Sequence, residues 1–249
     1  MRVILFTLNN ESDVDKILEQ VWQYRLDGVI AAARLHDSQV QEFERRVVPL
    51  VFFNRNLNNR HVNAVCCNQE AAAAMLIDGL LSSGHRKIGL IGGPIDSVVG
   101  AERIDSSIAR LKRHGIRPLW TDRGDYTYDG GREIFRENFR RRRSRPDAVL
   151  AANDAMALGC LDSARFDYGL SIPDDLSVVG FDGVEVATWA SYQLATVKQP
   201  VKDMANAAVD LLMKCIEQPI RPPEQRVFIG TLERGSSARL TLRHEKISG

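Results

Sequence analysis

The chain reads as an α/β protein with parallel sheets in two layers. Three observations predict this. Apolar runs of strand length alternate with amphipathic segments of helical period along nearly the whole sequence, the pattern of βαβ units. About nine such strands, with one return at the end, are more than a single sheet of this chain length comfortably holds. At least two strands run straight into small polar residues and then a helix: Asp147–Gly159, D-A-V-L-A-A-N-D-A-M-A-L-G, and Leu176–Gly183, L-S-V-V-G-F-D-G. Such turns put polar groups at the carboxyl edge of a parallel sheet, where open α/β folds bind ligands. Asn153, Asp154 and Asp182 take those edge positions.

Taken in order, Arg2–Thr7 is an apolar run of strand length, and a helix follows from Ser12 with Asp13 and Asp15 in its first turn. Val29–Ala33 is the next strand, His36–Arg45 a short helix, and Val48–Phe53 a buried strand. Asn54–Arg60 is a polar loop and Asn63–Asn68 a strand of small apolar residues. Gln69–Ser83 is the clearest helix, alanine-rich and closed by Gly84. Lys87–Gly92 is a strand, Val99–His114 a helix stopped by Gly115, Arg117–Trp120 a short extended piece, and Tyr128–Arg142 a charged helix. The strand before Asn153 leads into a helix over Asp154–Phe166. Ser177–Phe181 and Ala195–Lys198 are strands, Val201–Ile216 is an amphipathic helix ended by prolines, and Arg226–Leu232 closes as a strand.

Composition excludes several classes. With 249 residues, 44% hydrophobic and 26% charged, the chain can bury a core without staples. Its 33 basic and 32 acidic residues leave a net charge of +1, so no overall field favours nucleic acid or an anionic membrane. No apolar run is long enough to span a bilayer. Cys66, Cys67, Cys160 and Cys215 lack metal-ligand spacing, and neighbouring Cys66 and Cys67 on a strand face opposite ways. Reduced thiols fit a cytoplasmic protein. No dinucleotide, phosphate-loop or nucleophile-elbow motif occurs, so no catalytic residue, cofactor or metal site is expected. Seven arginines between Arg132 and Arg145 are read as a solvated helix end, opposing the negative pole of the helix, rather than a nucleic-acid patch.

Four blocks, G-H-R-K-I-G-L-I-G-G-P (Gly84–Pro94), A-A-N-D-A-M-A-L-G (Ala151–Gly159), I-P-D-D-L-S-V-V-G-F-D (Ile172–Asp182) and L-A-T-V-K-Q-P (Leu194–Pro200), resemble the lactose-repressor (LacI/GalR) family in order and spacing. The resemblance runs from Arg2 to about Arg239. It implies a periplasmic-binding-protein-like fold of two doubly wound parallel-sheet subdomains joined by three crossovers, near Asn68, Gln199 and Phe228. The N-terminal subdomain would hold residues 1–67 and 200–228, the C-terminal one 68–199 and 229–249. It also implies a sugar-like effector bound in the interdomain cleft, and a homodimer with the Gln69–Ser83 and Ala155–Phe166 helices near its interface. Operator DNA would be bound only through an N-terminal helix-turn-helix domain, which this sequence does not contain. The alternative with the same fold is the sugar-binding protein of a transporter.

The chain departs from the family pattern in lacking the first strand and helix of the N-terminal subdomain, which leads us to expect a fragment or a start further upstream. The absent strand would lie between Arg2–Thr7 and Val29–Ala33, leaving a strand unpaired on one side.

Position by position, the resemblance nominates Arg103, a planar fork of donors; Tyr126, which would pack on the effector ring; Asn153, donor and acceptor at once; Asp182, a double acceptor; and Gln199 at a hinge strand. Phe53 and Asn54 match edge positions of the other subdomain. Each has a plain structural alternative: a solvated Arg103, a packed Tyr126, Asn153 as a helix cap, Asp182 as a turn residue. Replacing Arg103 or Asp182 by alanine is expected to remove effector stabilisation and leave the fold intact.

Overall fold

The structure is a computed structural model that describes residues 2–8, 13–55, 62–141 and 144–241. The chain divides into two compact units, Met1–Cys67 with Val201–Phe228, and Asn68–Pro200 with Ile229–Gly249. Both are α/β with parallel sheets.

The first unit contains a four-stranded sheet in the order β1-β2-β3-β9, where β1 is Val29–Ala31, β2 Leu50–Phe53, β3 Ala64–Cys67 and β9 Gln225–Phe228. All its pairings are parallel. Alternation along the strands feeds two cores, as a sheet covered on both faces requires. Phe52, Ala64 and Cys66 face helices α1 (Val14–Val21) and α2 (Asp37–Arg45) through Val14, Val40 and Phe43. Val51, Val65 and Cys67 face α7 (Val201–Glu217) through Met204, Ala208, Leu211 and Cys215. Adjacent Cys66 and Cys67 therefore serve opposite faces, and all four cysteines are free thiols.

Arg2–Thr7 corrects the sequence reading: the segment joins no strand of the sheet, and Val3 and Leu5 are exposed. A strand needs a neighbour for its backbone groups, and β1 stands at the edge of the sheet with β2 as its only partner there. Residues Ser12, Asn56–Arg60 and Arg142 of the expected helix and loop limits lie outside the described residues.

The second unit contains six strands in the order β10-β8-β7-β6-β4-β5. These are β4 (Ile88–Gly92), β5 (Trp120–Arg123), β6 (Ala148–Ala151), β7 (Ser177–Asp182), β8 (Ala195–Lys198) and β10 (Thr231–Glu233). Only β10 runs antiparallel, against β8. The expected single strand over Arg226–Leu232 is thus two short strands, β9 and β10, in different sheets. The expected extended piece Arg117–Trp120 is shifted, since the paired strand begins at Trp120. Helices α3 (Gln69–Ser82) and α4 (Val98–Arg113) pack on each other, as do α5 (Tyr128–Arg141) and α6 (Asp154–Asp162). A turn of π-helix, Ser163–Asp167, extends α6.

Sheet order reverses between β4 and β6, the switch point at which such sheets open a crevice at their carboxyl ends. Three helices start at that edge with a side-chain cap: Asn68 Oδ1 accepts from Ala71 N at 2.8 Å, Ser97 Oγ from Gly100 N at 3.1 Å, and Asn153 Oδ1 from Met156 N at 3.0 Å.

Candidate functional site at the carboxyl edge of the six-stranded sheet

Asp182 ends β7 and Arg103 lies in the second turn of the switch-point helix α4. Arg103 is almost wholly buried, with 3% of its side chain exposed, while Asp182 keeps 31%. The guanidinium is held on three sides: Nε donates to Gln69 Oε1 at 2.9 Å, Nη1 to the Ala152 carbonyl at 2.6 Å, and Nη2 to Asp182 Oδ1 at 2.8 Å. Its face lies over the Phe181 ring, 4.9 Å from the centroid, a cation–π contact. The solvated alternative for Arg103 is excluded by this burial. Arg103→Ala would leave the Gln69 side chain and the Ala152 carbonyl without this donor, so the change bears on stability as well as on effector contact.

Gln199, just past β8, donates from Nε2 to the same Asp182 Oδ1 at 2.7 Å, and its backbone N–H meets the Asp182 carbonyl at 3.0 Å. Its Oε1 is buried and has no hydrogen-bond partner. Asp182 Oδ1 thus takes two donors, while Oδ2 takes none among the described residues.

Asn153 and Tyr126 form a second pair beside this cluster. Asn153 Nδ2 donates to the Tyr126 carbonyl at 3.0 Å while its Oδ1 caps α6, so both ends of the amide have structural work. The Tyr126 hydroxyl lies 2.5 Å from Ser97 Oγ. Its ring fills the space that side chains at Gly93 and Gly100 would occupy: a Cβ at either would come within 2.3 Å of it. The packed alternative therefore describes the Tyr126 ring.

Phe53 and Asn54 belong to the other unit, at the carboxyl end of its β2. Phe53 packs on the α7-side core. Asn54 donates its backbone N–H to Val65 O at 2.7 Å, and its Oδ1 is buried without a partner.

Backbone conformation marks the same residues. Among the described residues, five non-glycine residues have positive φ: Val47, Asn54, Tyr126, Asp182 and Gln193. Three of them are among the residues nominated from sequence. Such strain persists only where the surroundings over-determine it, and it concentrates at ligand sites.

Sequence reasoning missed the supports. Gln69 is a buried polar residue on the core side of α3, and it orients Arg103. Asp154 is buried completely and accepts from Gly183 N, Val184 N and Thr196 Oγ1. A polar residue on an apolar helix face was the available signal in both. Among the described residues no group of acidic, histidine or cysteine side chains is placed to hold a metal, and no helix is long and apolar enough to cross a membrane.

A two-unit parallel α/β chain with a polar cluster at a sheet's carboxyl edge has the build of a small-molecule receptor. A family model described as a periplasmic binding protein-like domain matches residues 77–238, and the chain belongs to that family. Catabolite control protein A of Priestia megaterium is 30% identical over 213 residues, 83% of this chain and 64% of that protein. The ribose operon repressor of Escherichia coli (strain K12) is 28% identical over 240 residues, 94% of this chain and 72% of that protein. A solved structure titled as the complex of transcriptional regulator CelR with cellobiose matches at a TM-score of 0.82 and 30% identity, covering 90% of this chain and 69% of that one. The chain is thus of the lactose-repressor (LacI/GalR) type, and its residues correspond to that type's effector-binding core. It spans about two thirds of the length of these relatives, 64% and 72%. Their being regulators favours the regulator over the transport-protein reading.

Proposed function

We propose that this chain is the effector-sensing core of a transcription regulator and that its effector is a neutral, hydroxyl-rich sugar or sugar derivative. One observation carries the ligand chemistry: Asp182 Oδ2 takes no donor among the described residues, and Gln199, whose Nε2 is on Asp182 Oδ1, has its buried Oε1 unpartnered. Two acceptors without donors call for hydroxyl groups. The Arg103 charge is already matched, because it is paired with Asp182, with further N–H groups on Gln69 and Ala152. A ligand anion would meet in Arg103 a cation already balanced by Asp182, so sugar phosphates and sugar acids are disfavoured. Arg103, Asp182 and Gln199 would meet the ligand directly, Tyr126 and Asn153 would shape the pocket wall, and Phe53 and Asn54 would contribute from the other unit.

The relatives' activities carry over as part of the same reading. The chain would act in the cytoplasm as a homodimer, bind operator DNA only through a helix-turn-helix domain, and catalyse no reaction. Effector binding would shift a conformational equilibrium that sets the spacing of paired DNA-binding heads.

A thermal-shift screen tests the ligand class, since a ligand bound only by the native state raises the melting temperature. Neutral mono- and disaccharides, polyols, sugar acids and sugar phosphates are compared against wild type and Asp182→Asn. A neutral sugar is expected to stabilise wild type and not the variant. Stabilisation by sugar phosphates alone would refute the assignment.

A further inference from the structure

Beneath Asp182 lies a junction that effector contact does not explain. Asp154 opens α6 and has no exposed surface. Its Oδ2 accepts the backbone N–H groups of Gly183 at 2.7 Å and Val184 at 2.9 Å. Its Oδ1 accepts the Thr196 hydroxyl at 2.6 Å. One carboxylate therefore ties the start of α6 to the turn after β7 and to β8. A Cβ at Gly180 would come within 2.5 Å of Oδ1, so the carboxylate lies directly against β7.

The turn it ties is the strained one. Asp182 sits at φ 116° and Gly183 at φ 73°. An aspartate in that region costs about 1–3 kcal/mol and needs outside support. The two N–H groups that follow Asp182 in the chain find that support in Asp154. Farther along, the same segment is tied to the other end of α6: Tyr192 and Tyr128 both donate to Asp162 Oδ2, at 3.0 and 2.7 Å, and Arg165 donates to the Ser191 carbonyl at 2.6 Å.

We infer that Asp154 is a positioning residue whose buried carboxylate holds the Asp182 turn in its left-handed conformation and so keeps the Asp182 carboxylate on Arg103. The inference deepens the effector reading and rests on it for the role of Asp182. It also makes the geometry pH-dependent. Burial, with the negative charge of Asp182 adding to it, pushes the Asp154 carboxyl up to about 6. The charged groups around it are Asp182 on β7, the Arg103 from α4 that pairs with it, and Lys198 on β8, whose stem lies against Gly183. Protonation of Asp154 weakens the acceptor that both turn amides use.

The test follows backbone amides and the Arg103 Nη2–H, the donor to Asp182, by heteronuclear NMR in the ligand-free chain. In wild type the Gly183 and Val184 amides should titrate together around pH 6. Asp154→Asn can keep its oxygen on the two amides and donate from its nitrogen to Thr196, whose hydroxyl both gives and accepts. It should fold, retain protection at Arg103 Nη2–H and abolish the titration. Asp154→Ala should speed exchange at Gly183 and Val184 at least about tenfold, the loss of one bond to a charged acceptor, and Arg103 Nη2–H should lose protection with them. Faster turn amides with an unchanged Arg103 would overturn the inference, because Asp154 would then merely close a turn. If the alanine variant does not fold, a titration at Gly183 that survives in Asp154→Asn overturns it instead. No ligand is used, so failure of the sugar screen counts against the effector reading alone.

Discussion

At the scale of single residues, burial decides what each polar group can do. Arg103 is nine-tenths and more enclosed, so its removal is a structural event as well as a binding one. Arg103→Ala should cost about 2–3 kcal/mol, below the figure for a fully buried pair because Asp182 keeps contact with water. At about 2–4 °C per kcal/mol for a chain of this size, differential scanning calorimetry should register a clear drop in melting temperature. A drop under 2 °C would contradict the described contacts. Two buried ionisable groups pull stability in opposite directions as acid is added. Asp154 titrates at about 6 in the folded chain and near 3.9 when unfolded, so the fold gains from its protonation between those values. His85 is buried with Nδ1 on the Leu80 carbonyl at 2.9 Å, and desolvation lowers its pKa. The unfolded chain takes up that proton from about pH 6.5 downward while the folded one resists, so this contribution is lost as pH falls. Chemical denaturation from pH 7 to 5 should therefore show a steeper acid loss in Asp154→Asn and a shallower one in His85→Gln. Parallel profiles for wild type and both variants would sink this account.

At the scale of elements, the pairing of α5 with α6 depends on two glycines. A Cβ at Gly159 would come within 2.0 Å of the Tyr128 carbonyl, and one at Gly131 within 2.3 Å of the Met156 carbonyl. Both obstacles are backbone, which cannot swing aside as a side chain does. The Cys160 thiol, donating to Gly131 O at 3.4 Å, crosses at the same place. Gly159→Ala should therefore destabilise by about 1–3 kcal/mol, the range for overpacking, despite alanine's better helix propensity. An unchanged denaturation midpoint would show that the helices can separate without cost. The same helix, α6, starts at Asp154 with Asn153 as its cap. Element packing thus reaches the site through the helix start rather than through a loop.

At the scale of the whole molecule, the chain passes between its two units three times. The chain leaves the first unit after Cys67, returns at Val201 and leaves again after Phe228. Gln199 stands one residue before the second of these boundaries, and Asn68 at the first. If bound as proposed by Asp182 and Gln199, a ligand touches a residue next to a unit boundary. At a hundred times its dissociation constant such a ligand stabilises by about 2.7 kcal/mol, or about 5–10 °C for this chain length. In the sugar screen, that shift should appear for the effector and vanish in Asp182→Asn.

Much of this was written in the residues themselves. Alternating periods set the α/β class, because a strand buried on both faces and a one-sided helix need different spacings of apolar residues. The four blocks located the edge residues, because turns from strand to helix have local chemistry: a small polar cap and a short apolar run. Tertiary structure alone decided the rest. Arg2–Thr7 has the composition of a strand, yet whether it becomes one depends on a neighbour, which no property of those six residues supplies. Arg226–Leu232 looks continuous, but its two halves pair with strands of different sheets. Gln69, Asp154 and Ser97 look like ordinary helix-start residues, and they became supports of Arg103, Asp182 and Tyr126 only through contacts between residues 29 or more positions apart. Capping and periodicity act within a few residues and can be read locally. The satisfaction of a buried polar group is a long-range condition, met only when the chain has folded.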